Sequence, residues 1–134
     1  MTENQIAKII VDVAYNIHVK LGPGLLESTY ETLMCYEFGK RGLRYTQQQV
    51  LPLIYEGVII EEALRTDIIV EDKVIIEIKS VEQLAKVHYK QLLTYLRVAD
   101  KKLGLLKDGI KRIANGLEDE NDEVLADTTS RLKS

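Results

Sequence analysis

Three charged residues, Asp67, Glu77 and Lys79, form the pattern D-x9-E-x-K within a stretch rich in β-branched residues. Because alternate residues of a strand share a face, Glu77 and Lys79 point the same way. A carboxylate and an ammonium among neighbouring isoleucines would be costly to bury without partners. A hard cation such as Mg²⁺ held by two carboxylates would offset that cost, and the lysine could orient a water or contact a phosphate. The alternative is a surface ion pair between Glu77 and Lys79.

The connection between the two acids decides whether they can meet. Glu71-Asp72 is the turn signal, and a plain two-residue hairpin there would place Asp67 opposite Ile76. Asp67 and Glu77 would then lie on opposite faces, since a one-residue shift turns every side chain over. A three-residue connection or one bulge returns them to a common face. The metal hypothesis therefore predicts an irregularity between Asp67 and Glu77.

Glu27 is the third candidate acid. It continues the apolar helical stripe of Tyr30, Met34 and Phe38, so we expect its side chain to point towards the sheet and not towards water. A solvated carboxylate favoured by the dipole of the helix start is the alternative. Tyr30, one turn later, is by its type more often a core residue with a bonded hydroxyl.

A later helix carries four residues that share one face, namely Leu84, His88, Gln91 and Tyr95. Three polar-tipped side chains on one stripe predict one wall of a wet cleft. Taken singly, His88 is more often a half-buried histidine with a hydrogen-bond partner than a ligand.

Apolar periodicity and turn residues predict the elements that position these residues. Thr2 with Gln5 forms a capping box at the start of a first helix, which we expect to end at Gly22-Pro23-Gly24. Pro52 indicates an edge strand or a bulge, and Glu56-Gly57 a tight hairpin turn. The predicted elements are a first helix, a helix at 25–40, strands at 43–55, 58–70 and 73–79, a helix from 80 to about 98, a strand at 103–106 and a short helix at 109–117.

Ser80 with Gln83 forms a second capping box, which opens the later helix. Because that helix is a crossover connection, the strand at 103–106 should run parallel to its partner. The order of elements predicts an α/β fold, with helices packed on a mixed sheet.

Length and composition place limits on the class of protein. The chain has 134 residues, 46% of them hydrophobic and 29% charged, which suits one globular domain. We expect that domain at residues 1–117 and an acidic, disordered tail at 118–134. No apolar run approaches the ~20 residues that span a bilayer, and the first residues lack a secretory signal. With Cys35 as the single cysteine, we expect a cytoplasmic protein without a membrane partner.

The net charge of −3 is unevenly distributed. Residues 79–112 contain nine Lys or Arg and three Asp or Glu, a local charge of +6. A basic surface that could meet phosphates is therefore available, although a solvated helix face would carry the same charges.

Gly24-Leu25-Leu26-Glu27-Ser28-Thr29-Tyr30 reads G-x-x-E-x-x-Y, and the chain here resembles the bacterial GxxExxY proteins of the PD-(D/E)XK nuclease superfamily. The resemblance covers roughly residues 5–117. It includes the segments at 65–70 and 74–79, and the pattern H-x-x-Q-x-x-x-Y that begins at His88. It implies a restriction-endonuclease-like αβββαβ core and metal-dependent hydrolysis of phosphodiester bonds in DNA.

The resemblance also implies roles for particular residues. Glu27, Asp67 and Glu77, with the backbone carbonyl of Ile78, would bind Mg²⁺ or Mn²⁺, and Lys79 would position the attacking water. Substrate-binding roles are implied for four further residues, namely Tyr30, His88, Gln91 and Tyr95.

Two features depart from the family pattern. Thr66 stands where proline usually precedes the aspartate. The segment from Gly104 to Arg112 is shorter than in relatives, so we expect a truncated last strand and an exposed sheet edge. Self-association into a homo-oligomer would cover that edge.

Three hypotheses about function follow. The first is a metal-dependent nuclease that acts on DNA. The second is a nucleic-acid-binding or protein-binding module that keeps the fold with little or no catalysis. The third is a structural oligomerisation unit, which would not explain acidic residues that are expected to be buried.

Overall fold

Eight elements lie in the part of the chain that the computed structural model describes, which comprises residues 1–79, 84–106 and 111–116. The helices are α1 (Glu3–Leu21), α2 (Glu27–Lys40) and α3 (Lys86–Ala99). The strands are β1 (Tyr45–Tyr55), β2 (Val58–Val70), β3 (Val74–Glu77), β4 (Leu103–Leu106) and β5 (Lys111–Ala114). The predicted tail at 118–134 lies outside the described residues.

The five strands form one sheet in the order β1-β2-β3-β4-β5. Neighbouring strands are antiparallel except for β3 and β4, which are parallel and are joined through α3. The mixed sheet and the parallel strand at 103–106 are both confirmed. Parallel pairing follows from the crossover, because a helix between two strands returns the chain to the same end of the sheet.

Helices cover both faces of the sheet. On one face, the side chains of Ile68, Val70 and Ile76 pack in the larger core cluster with α1 and α2. On the other face, Ile69 and Ile75 pack with the buried stripe of α3 in a smaller cluster. All four residues of β3 are buried, which suits a central strand covered on both sides. The continuous apolar run in β3 is thus explained.

The turn between β2 and β3 contains three residues, because Val70 pairs with Val74. Glu71 and Asp72 adopt positive φ angles of 51° and 55°. The backbone N–H of Arg44 donates to Glu71 Oε2 at 2.8 Å, which fixes the turn to the start of β1. The predicted irregularity between Asp67 and Glu77 is confirmed, and it is this three-residue connection.

The hairpin of β1 and β2 reaches well beyond its pairing with β3, which involves only the last residues of β2. Its tip is the predicted turn at Glu56-Gly57, flanked by the pair Tyr55 and Val58. The register shifts between Leu51 and Leu53, so the irregularity predicted at Pro52 is confirmed. Two isoleucines near the tip, Ile54 and Ile59, are 68% and 64% exposed.

Two predicted boundaries are wrong. The later helix begins at Lys86 and not at Ser80, since Leu84 and Ala85 are not helical. Its expected capping residues, Ser80 and Gln83, lie outside the described residues. Within the segment expected to be helical at 109–117, residues Lys111–Ala114 form β5 instead.

β5 also corrects the expectation of an exposed edge at residues 103–106. Leu106 pairs with Lys111 and Leu103 with Ala114, so β5 covers β4, and all four residues of β4 are buried. Arg112 Nη1 donates to Asn4 Oδ1 at 2.6 Å, which ties β5 to the start of α1.

No helix in the described residues is both long and apolar enough to cross a membrane. The predicted capping box of α1 is confirmed, because the Thr2 hydroxyl accepts from the N–H of Gln5 and the Gln5 side chain accepts from the N–H of Thr2. Gly22 ends α1 with φ of 73°.

Candidate active site

Asp67 and Glu77 lie opposite each other at the end of the β2–β3 pair. The register that pairs Ile68 with Ile76 continues outward to these two residues, so both side chains lie on the face that packs against α3. The backbone N–H of Asp67 donates to Glu77 Oε2 at 2.7 Å, and the N–H of Ile78 donates to Asp67 Oδ2 at 2.8 Å. Each carboxylate is thus held by the backbone of the opposite strand.

Glu77 has an unusual electrostatic environment. Glu77 is only 3% exposed, and the pKa of its carboxyl is raised from 4.5 to about 8, with burial as the largest of several causes. The neighbouring charge of Asp67 raises this pKa further, while the hydrogen bond from the Asp67 N–H and the charge of Lys79 lower it. A buried carboxyl beside a second acid is stabilised as an anion when a cation lies close by.

Lys79 and Ile78 follow Glu77 directly. Lys79 is half-buried, and its charge is close enough to act on Glu77. Ile78 is buried, and its N–H is engaged by Asp67, which restricts the orientation of the peptide group at this position. The catalytic role of Lys79 and the metal-ligand role of the Ile78 carbonyl stay predictions.

The wall on the α3 side is formed by Gln91 and Tyr95. Gln91 Nε2 donates to the Tyr95 hydroxyl at 3.2 Å. Desolvation raises the pKa of Tyr95, and the charges of Glu77 and Asp67 raise it further. The phenol therefore lies within electrostatic reach of both acids. The substrate-binding role of Gln91 and Tyr95 stays a prediction. Their location beside the carboxylates agrees with that role.

His88 has a local partner. Its Nδ1 accepts a hydrogen bond from the N–H of Ala85 at 3.0 Å, which satisfies a backbone donor at the start of α3. The half-buried histidine with a hydrogen-bond partner, considered as the alternative above, is what this geometry favours. Leu84, which was grouped with His88 on one helical stripe, precedes the helix.

Glu27 is exposed, so the expectation that it turns away from water is wrong. It is the first residue of α2, and α2 reaches the site through Glu31, one turn later. Gln48 Nε2 donates to Glu31 Oε1 at 2.9 Å and to Asp67 Oδ1 at 3.3 Å, so one amide bridges the two carboxylates. The negative charge of Glu31 also raises the pKa of Glu77.

Gln48 and Gln47 are site residues that the sequence did not single out. Gln47 Nε2 donates to Glu31 Oε2 at 2.9 Å. Gln48 lies opposite Asp67 in the register but has a positive φ of 51°, a backbone conformation that non-glycine residues rarely adopt. Such strain often lies beside functional groups. A run of three glutamines within a strand was the available signal.

Tyr30 belongs to the core. Its side chain is 5% exposed, and its hydroxyl donates to the carbonyl oxygen of Ala14 in α1 at 3.2 Å. This hydrogen bond joins α2 to α1, and the substrate-binding role of Tyr30 stays a prediction.

The donor set at the site fits a hard divalent cation. Mg²⁺ is commonly held by one or two carboxylates, with waters and substrate phosphates completing its coordination. Asp67 and Glu77 supply such a pair, and a cation between them would offset both the burial of Glu77 and the repulsion from Asp67, the two largest causes of its raised pKa. In the described residues, no group of three or more His, Cys, Asp or Glu is arranged to hold a metal. The metal-ligand roles of Glu27, Asp67 and Glu77 stay predictions.

Comparison with known proteins gives one match. The family model described as PD-(D/E)XK nuclease superfamily matches residues 4–113. No curated protein and no solved structure matches the chain.

Proposed function

Because the chain belongs to the PD-(D/E)XK nuclease superfamily, we propose that it is a nuclease that uses Mg²⁺ or Mn²⁺ to hydrolyse phosphodiester bonds, with DNA as its substrate. The observation that carries the proposal is the pair Asp67 and Glu77, held opposite each other by two backbone hydrogen bonds. A buried Glu77 beside a half-buried Asp67 has no evident structural purpose, since apolar side chains would fill the same space at lower cost.

Asp67 and Glu77 hold the cation in this proposal, with the Ile78 carbonyl as a further donor. When bound, the cation polarises a phosphoryl oxygen and makes the attacking water more acidic. Asp67 and Glu77 are fixed before substrate arrives, because the backbone of the neighbouring strand orients each carboxylate.

Lys79 orients the water and offsets negative charge that develops on the phosphate. The charge of Lys79 already acts on Glu77, so its ammonium is close enough to serve the same reaction. Gln91 and Tyr95 line the neighbouring wall, where an amide and a phenol can donate to phosphate oxygens.

A binding module without catalysis is the second candidate, and one observation favours it. A pKa of about 8 leaves Glu77 mostly protonated at neutral pH, and a protonated carboxyl is a poor metal ligand. Such a site would bind a divalent cation weakly until a phosphate arrives to complete the coordination.

The deciding experiment measures Mn²⁺ binding by titration calorimetry and cleavage of plasmid DNA in Mg²⁺ or Mn²⁺. The variants are Glu77→Gln and the matched control Glu62→Gln, which removes an exposed carboxylate from the β2 hairpin. We expect Glu77→Gln to abolish metal binding and to lower cleavage at least about 100-fold, because the metal supplies several kcal/mol of stabilisation to the transition state. Glu62→Gln should behave as wild type.

Two outcomes contradict the proposal. Undiminished cleavage by Glu77→Gln would remove the acid pair from the mechanism. DNA binding by the wild type without cleavage in either metal would leave the binding module as the function.

A further inference from the structure

α3 carries a basic stripe on its solvent face. We use this name for Lys86, Lys90, Thr94 and Arg97, which follow one another at intervals of four, four and three residues and are all exposed. That spacing places the four side chains within one sector of the helix surface. The opposite surface of α3 holds the buried residues Leu92 and Leu96, so the basic stripe faces away from the sheet.

The basic stripe carries three cations and, within α3, no anion. α3 contains no Asp or Glu among its residues. In the described part of the chain, the ion pairs involve Lys40, Arg41, Arg44 and Lys101, and none involves a cation of the basic stripe. Because the chain as a whole has a net charge of −3, any attraction for a polyanion has to come from a local surface such as this one.

The basic stripe runs beside the candidate active site. Gln91 follows Lys90 directly and donates to the hydroxyl of Tyr95, a residue near enough to Glu77 and Asp67 that their charges, after burial, help to raise its pKa. A helix rises 1.5 Å per residue, so Lys86 and Arg97 are roughly 17 Å apart along α3, the axial length of about five nucleotides of one strand. The helix therefore presents cations over the length of several phosphates, next to the carboxylates.

We propose that the basic stripe binds the sugar-phosphate backbone of nucleic acid and lays it along α3 next to Asp67 and Glu77. The Thr94 hydroxyl donates to the Lys90 carbonyl oxygen at 3.0 Å within the helix, while Lys86, Lys90 and Arg97 contact phosphates through their charge. Such contacts hold the strand without reading its sequence. Binding itself is independent of the proposed function, whereas the delivery of a bond to the carboxylates rests on it.

The test is fluorescence anisotropy with labelled single-stranded and duplex DNA in EDTA, so that binding is measured without hydrolysis. The variant Lys86→Gln/Lys90→Gln/Arg97→Gln is compared with Lys8→Gln/Lys20→Gln/Lys40→Gln, which removes the same charge from exposed positions of α1 and α2. Both triple variants change only exposed side chains, and circular dichroism checks that they fold.

We expect the α3 variant to bind at least about tenfold more weakly at low salt and to lower the slope of log K against log[salt] by about 2–3, since each phosphate contact contributes about 0.7–0.9. The control variant should keep the wild-type slope. Equal weakening in both variants would mean that only total charge matters, and wild-type affinity in the α3 variant would mean that the basic stripe is a solvated face; either result overturns the proposal.

The two proposals can fail separately. If Glu77→Gln binds DNA in EDTA as tightly as wild type and the α3 variant does not, the basic stripe is supported whatever the cleavage assay gives. If the wild type cleaves DNA and the α3 variant binds normally, the nuclease stands and the basic stripe does not.

Discussion

At the scale of single residues, Glu77 is the most informative position. It is a charged residue type in a central strand, yet its side chain is almost fully buried and bonded to the opposite backbone. Its carboxyl is stabilised in the protonated form by burial and in the anionic form by a nearby cation. In the proposed function, a proton and a metal ion therefore compete for the same group.

This competition predicts a pH dependence of stability in the absence of metal. The pKa of Glu77 is 4.5 ordinarily and about 8 in the fold, so the folded state keeps a proton that the unfolded state loses between those values. The free energy of unfolding should fall as pH rises from about 4.5 to about 8 and then level, by an amount on the order of a few kcal/mol.

Urea unfolding at pH 5, 7 and 9 in EDTA measures this effect. The isosteric Glu77→Gln variant should lack this part of the pH dependence, so its stability should exceed that of wild type at pH 9 and approach it at pH 5. Parallel stability curves for the two proteins would show that burial does not raise the pKa of Glu77.

A second residue-scale prediction compares the two acids of α2. The charge of Glu31 raises the pKa of Glu77, and Gln48 bridges Glu31 to Asp67, so Glu31→Gln should lower the pKa of Glu77. Glu27→Gln, one turn earlier and exposed, should leave that pKa in place. NMR titration of the Glu77 carboxyl carbon measures both variants.

The opposite ranking would return Glu27 to the role that the family resemblance implies. Equal shifts in the two variants would show that α2 acts on the site only through its overall charge.

At the scale of elements, the contact between α3 and β4 keeps the cleft wall in place. Gly104 lies under Leu92, and a Cβ there would come within 2.8 Å of the leucine side chain. Leu92 is fully buried, so it has little space to move aside. Gly104 is therefore needed for the close approach of helix and strand, and with it for the position of Gln91 and Tyr95.

We predict that Gly104→Ala destabilises the protein by about 1–3 kcal/mol, because the added methyl group overpacks the core. Gly39→Ala is the control: Gly39 lies in α2 with open space around it, and the substitution should stabilise by about 0.4–1 kcal/mol. Thermal unfolding of the two variants gives the comparison. A neutral Gly104→Ala variant would show that Leu92 yields easily and that α3 is not held by this contact.

At the scale of the whole molecule, the sheet separates the face covered by α1 and α2 from the face covered by α3. α1 and α2 pack on one face, while α3 with its exposed cations packs on the other, together with the carboxylates. The far end of the β1–β2 hairpin is both apolar and acidic, with Glu56, Glu61 and Glu62 near exposed isoleucines. Among the described residues, the α3 side therefore combines exposed cations with the two carboxylates.

The expected homo-oligomer stays a prediction, but the reason first given for it no longer holds. That reason was an exposed edge at residues 103–106, and β5 covers this edge. Exposed apolar side chains lie at the hairpin tip instead, at Ile54 and Ile59.

Features that depend on near neighbours along the chain were predictable from sequence. The capping box of α1, the turn at Glu56-Gly57 and the extent of β2 all follow from local propensity and periodicity. Whether Asp67 and Glu77 share a face depended only on the length of the turn between them. A two-residue turn would place them on opposite faces, and a three-residue turn places them on the same face.

Features that depend on distant partners emerged only in the folded chain. The segment at Lys111–Ala114 is too short to show a periodicity, and its pairing with β4 makes it a strand. Likewise, the rotation of α2 about its axis brings Glu31 to Asp67 through Gln48 and leaves Glu27 exposed. Local sequence specifies which residues share a stripe, but packing against the sheet sets which turn of the helix meets the site.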